Sequence, residues 1–107
     1  MNRRTLERDF QLQMFEIYRR SGEECGYHAI RYLQMLGEYG GLGTARVLLL
    51  PVEHMHEGFF KLAWEFKRPE ITVEWLVLLE PWRQLFSEVE LAKARQRLKD
   101  VGGQPPG

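Results

Sequence analysis

Apolar residues recur along this chain at helical spacing, in runs that glycine, proline and threonine separate. Leu6, Phe10, Met14, Ile17 and Tyr18 stand three and four apart. With Thr5 as cap they predict a first helix of roughly four turns. Arg3, Arg4, Glu7, Arg8, Asp9, Glu16, Arg19 and Arg20 fill its other faces, and Ser21-Gly22 and Gly26 end it. A second helix is predicted from Tyr27 to Glu38, with Tyr27, Ile30, Leu33 (or Met35) and Leu36 inward. Gly40-Gly41 closes it, because glycine takes the left-handed conformation without steric cost.

The next stretch reads LGTARVLLLP. Thr44 as cap, Ala45, Leu48 and Leu49 as a buried face and Pro51 as stop make a short helix. Val52 to His56 is a connection. From His56 to Phe66 another short helix is expected, with Phe59, Leu62, Ala63 and Phe66 inward, broken by Lys67-Arg68-Pro69. Thr72 caps VEWLVLLE, and Glu74 suits the positive end of the helix dipole. Pro81-Trp82 opens a turn that ends at Leu85-Phe86.

Ser87 and Glu90 then form a capping box, the most specific local signal in the chain. The helix behind it should run to Val101, with Leu91, Ala94 and Leu98 inward. Gly102-Gly103 ends it.

Two runs also read as strands. Residues 47–50 are continuously apolar, and Ile71, Val73 and Val77 are β-branched. Thr72 as cap, and the lack of a tight turn joining the runs, favour helix. The expected fold is therefore all-α: one compact domain of about five to six short helices over 1–101, with a flexible tail at 102–107. The alternative is α+β, with a small two-stranded element from 47–50 and 71–79.

At 107 residues and 44% hydrophobic, the chain can bury a core without metal or disulfide. Fifteen basic and fifteen acidic side chains cancel, which removes the simplest electrostatic case for nucleic acid or acidic membrane. No apolar run approaches the roughly 20 residues of a membrane-spanning helix. The N-terminus lacks the apolar core of a secretory signal. The single Cys25 cannot form an internal disulfide, so a cytoplasmic location is expected.

Candidate chemistry is sparse. His54 and His56, flanked by Glu53 and Glu57, supply two local ligands where zinc wants three or four, so no metal and no cofactor is expected. Glu65, Glu70 and Glu74 crowd one loop without any sign of burial that would separate their pKa values. Cys25 lies among glutamates, which disfavour a thiolate. Trp64, Trp75, Leu76 and Leu85 are expected to be structural. The candidate partner-binding residues are Arg19 and Arg20 on the first helix, and Arg95 and Arg97 on the last. Arginine is enriched at interfaces and grips carboxylate or phosphate in a bidentate way.

Four motifs carry a resemblance: G-F-x-x-L-x-x-E at 58–65, T-V-E-x-L-V-L at 72–78, W-x-x-L-F at 82–86 and E-L-x-x-A-R-x-R-L at 90–98. Tyr32 to Leu36 and Gly40-Gly41-Leu42-x-Thr44-Ala45 extend it over most of the chain from Tyr27. With these the chain resembles a family of small bacterial proteins and domains that has no assigned activity. The resemblance implies a compact bacterial module; where related pieces accompany nucleases or other mobile-element proteins, it implies an accessory role.

The expected function is non-enzymatic, by protein–protein interaction. The alternative is a nucleic-acid-binding accessory domain of helix-turn-helix outline, built from 44–50 and 56–66 and associated with mobile-element or defence proteins.

Overall fold

The structure is a computed structural model that describes residues 2–50 and 57–106. Helices and helical turns take in 77% of the described residues, and none of those residues is in a strand. The fold is all-α. Both segments that also read as strands are helical or turn: Val47 and Leu48 end one helix, and Val73–Val77 form another.

Helix α1 spans Arg3–Cys25. Asn2, not Thr5, caps it: the Asn2 side chain accepts from the Thr5 N–H at 2.8 Å. Leu6, Phe10 and Met14 are its buried stripe. The helix runs through Ser21-Gly22 and stops at Gly26, whose φ of 68° is left-handed. The Gly26 and Tyr27 N–H groups fold back onto the Gly22 and Ser21 carbonyls.

Helix α2 spans Ile30–Leu48 and lies antiparallel to α1. Gly40, at φ 73°, interrupts it where a helix end was expected, but the helix resumes at once. The reason is tertiary. The interruption frees the Gly41 N–H, and the Gln11 side chain of α1 accepts it at 3.0 Å. Thr44 therefore lies inside a helix rather than at its start, and is buried. Its hydroxyl oxygen has no hydrogen-bond partner among the described residues.

Helix α3, Glu57–Phe59, runs straight into a wide π turn over Phe60–Glu65. The Phe66 N–H reaches back five residues to the Lys61 carbonyl. A wider turn rotates later residues off the inward stripe. Phe59, Leu62 and Ala63 are buried as expected, but Phe66 is not, and neither is Trp64. Lys67, at φ 57°, ends the segment.

A 3-10 turn, Pro69–Ile71, leads to α4, Val73–Val77, which Thr72 caps by accepting from the Trp75 N–H. A second 3-10 turn, Trp82–Leu85, leads to α5, Glu88–Asp100. The capping box of Ser87 and Glu90 is present in both directions. Leu91, Ala94 and Leu98 face inward as the spacing predicted.

Phe10 sits at the centre of the core, with its ring 5.4 Å from Phe86 edge-on and 5.9 Å from Trp82. The radius of gyration, 12.8 Å, fits a single compact body of this length.

Two glycines test the α1–α2 packing. A Cβ on Gly41 would lie 2.7 Å from the Gln11 Cα, whereas one on Gly37 meets nothing within 4 Å. Gly41→Ala should cost about 1–3 kcal/mol by overpacking. Gly37→Ala, inside a helix, should stabilise by about 0.5–1 kcal/mol. Urea denaturation of both variants reads the contrast, and equal effects would refute the close approach.

Candidate functional site

The four arginines singled out from the sequence do not form one surface. Arg19 is bonded to Glu16 and Glu23 along α1. Arg20 pairs with Glu24 at 2.7 Å. Glu24 in turn receives Arg68 at 2.6 Å, and Arg68 also holds Glu70 at 2.6 Å. This network ties the end of α1 to the 3-10 turn before α4. Arg95 lies 3.8 Å from Glu88.

Arg97 is a correction. It was expected on the exposed face of the last helix, yet it is only 4% exposed. Its guanidinium donates to Glu74 at 2.8 Å, to the Leu50 carbonyl at 3.1 Å and to the Leu48 carbonyl. Glu74 is 3% exposed. The glutamate expected to serve only the helix dipole is thus one half of a buried ion pair. Burial pushes its carboxyl up from the usual range, and Arg97 pulls part of that back.

Glu74 also lines a cavity of about 650 Å³ bounded by α1, α2, α3 and α4. Ser21, Tyr27, Tyr32, Phe59 and Thr72 share its wall, with His28, Arg31 and Glu57 also lining it. The Tyr32 hydroxyl donates to the Met14 carbonyl at 2.8 Å. Burial, and then the nearby Glu74 charge, raise its pKa well above the ordinary phenol value.

A second feature lies on the neighbouring surface. Phe60, Trp64 and Phe66 are 38%, 47% and 39% exposed. Phe60 and Trp64 have ring centroids 6.4 Å apart, and Phe66 stands at the same distance from Tyr27. The Lys67 ammonium sits 4.6 Å from the centre of the Trp64 ring. Trp64, expected in the core, is thus a surface residue. Trp75 is half-buried against the core, and Leu76 and Leu85 are buried. Trp64 follows the buried Ala63 by one residue, about 100° off the inward stripe, and shares the outer face with Phe60 four positions before it.

Among the described residues, no group of three or more His, Cys, Asp or Glu side chains stands close enough to hold a metal ion. The candidate ligands His54 and His56 lie outside the described residues. Among the described residues, no helix is long and apolar enough to cross a membrane.

Two predictions test the charge arrangement. Removing one partner of the buried pair should cost about 3–5 kcal/mol, because the other charge is left uncompensated. Arg97→Met and Glu74→Leu should each show this in chemical denaturation, and the double variant should be less destabilised than their sum. Additive losses would mean the pair is not coupled.

Glu24 is held at about 2, by Arg20 first and Arg68 second, below its ordinary 4.5. The folded state therefore favours its ionised form. That contribution is full above about pH 4.5 and fades as pH falls towards 2. The stability difference between the wild type and Glu24→Gln should shrink over this window. A difference independent of pH would refute the assignment.

Compared with models of protein families, with curated proteins and with solved structures, the chain matches none of them.

Proposed function

We propose that this chain is a non-enzymatic binding module that recognises a protein partner through the aromatic side chains of 57–66. The observation that carries this reading is the exposure of Phe60, Trp64 and Phe66 together on one short, irregular segment. Exposing such rings to water is costly, and tryptophan is among the residues that dominate interface energetics. Wide helical turns of this kind recur at functional sites. The setting is a reducing bacterial cytoplasm, in keeping with the single Cys25.

The arginine surfaces support a rim rather than an anchor. Arg19 and Arg20 are mated to neighbouring glutamates, so a partner's carboxylates would have to compete with them. Lys61 is likewise paired with Glu65 at 2.9 Å, and Arg68 with Glu24 and Glu70. On these faces the mating also weakens the nucleic-acid alternative, which needs unpaired cations for phosphate. In the helix-turn-helix outline, the would-be recognition helix is an α3 of three residues followed by a π turn.

Affinity capture from native extract, with and without nuclease, tests the proposal. Trp64→Ala and Phe60→Ala should lose the captured protein while keeping the wild-type denaturation midpoint. Capture should survive nuclease and depend weakly on salt. Loss with nuclease, or a steep fall of log K with log salt, would replace the protein partner with nucleic acid.

A further inference from the structure

We propose that the cavity bounded by α1, α2, α3 and α4 binds a small organic cation with N–H donors: a primary ammonium or guanidinium on an apolar stem. Its volume, about 650 Å³, falls within the range of small-ligand sites. The chemistry follows from how the wall's polar groups are already committed. Ser21 Oγ donates its one proton to the Tyr18 carbonyl at 3.0 Å. Tyr32 Oη donates its one proton to the Met14 carbonyl. Thr72 Oγ1 donates to the Pro69 carbonyl and accepts from the Trp75 N–H. None of these hydroxyls has a proton left to offer a ligand, and those of Ser21 and Tyr32 keep free lone pairs.

Glu74 completes the set. Its Oε2 accepts from Arg97, and among the described residues Oε1 receives no other side chain. Arg97 also donates to the Leu48 and Leu50 carbonyls, and is not itself part of the cavity wall. The inner wall formed by Ser21, Tyr32, Thr72 and Glu74 therefore presents acceptors and asks for donors, while the donors in the lining, Tyr27 Oη, His28 and Arg31, belong to half-buried or exposed residues. An anion would meet the lone pairs of Ser21, Tyr32 and Glu74 and be repelled. An N–H cation would satisfy them, and the rings of Tyr27 and Phe59 in the same wall suit both its charge and its stem. Arg31 and Glu57 also line the cavity, are exposed and carry opposite charges, so neither sign is barred from entry.

The site does not depend on the aromatic-surface reading, since Phe60, Trp64 and Phe66 are not part of the cavity wall. The same chemistry could come from a free amine or from a basic side chain presented by another protein.

The test is amide-resolved NMR titration of the full chain with phenethylamine, 2-phenylethanol and phenylacetate. These probes share a shape and differ in charge and donors. Phenethylamine should shift the amides of Ser21, Tyr32, Thr72 and Glu74 saturably, and bind about tenfold or more tighter than the other two. Ser21→Ala and Tyr32→Phe should each weaken it about three- to tenfold, the worth of one hydrogen bond, with the denaturation midpoint as the control for folding.

Agmatine and acetyl-arginine methylamide separate the two sources. Comparable affinity assigns the site to a presented side chain, and preference for agmatine assigns it to a free ligand. Equal binding of the three phenyl probes would overturn the proposal. So would shifts that map elsewhere, unchanged affinity in both variants, or no saturation by about 10 mM.

Discussion

The fold turns on one buried ion pair. Arg97 and Glu74 meet at 2.8 Å with both side chains buried, and their union joins α5 to α4. Arg97 then reaches the carbonyls of Leu48 and Leu50, which gathers the end of α2 into the same knot. The Leu48 carbonyl belongs to the helix terminus, where no intrahelical N–H remains to satisfy it, and the Leu50 carbonyl lies just beyond. A buried charge is tolerated only when it is paired and its hydrogen bonds are met. Here a single guanidinium meets both demands for three segments that are distant in sequence.

The same pair shapes the candidate site. Glu74 is bonded to Arg97 on one side and lines the cavity on the other, so the core fixes the carboxylate in place. Tyr32 on α2 and Ser21 on α1 bring lone pairs to the same wall through bonds to backbone carbonyls. The wall is thereby preorganised, which lowers the ordering cost that any ligand would meet.

The motifs quoted from the sequence are signatures of this core. In T-V-E-x-L-V-L every lettered position, Thr72, Val73, Glu74, Leu76, Val77 and Leu78, is buried, and the unlettered Trp75 is half-buried. In E-L-x-x-A-R-x-R-L, Leu91, Ala94, Arg97 and Leu98 are buried. The glutamate of the first motif and the second arginine of the last are the two halves of the ion pair. In this chain these motif positions serve packing, whereas the exposed Trp64 falls on an unlettered position of G-F-x-x-L-x-x-E.

Local signals in the sequence determined the helical class, the Thr72 and Ser87 caps, the inward stripes of α1 and α5 and the interruption at Gly40. Each depends on interactions within a few residues: a hydroxyl and the N–H three positions on, a 3.6-residue period, a glycine's freedom at positive φ. Tertiary contacts alone decided the rest. Gln11 lets α2 continue past Gly40 by capping an N–H thirty residues away. Arg97 reads from sequence as one more surface cation, because its partners lie 23, 47 and 49 positions distant. Trp64 reads as core because its neighbours are apolar, yet it stands off the buried stripe of Phe59, Leu62 and Ala63 and nothing in the fold covers it among the described residues. Charge and hydropathy are properties of a residue, but burial is a property of what the folded chain brings to it.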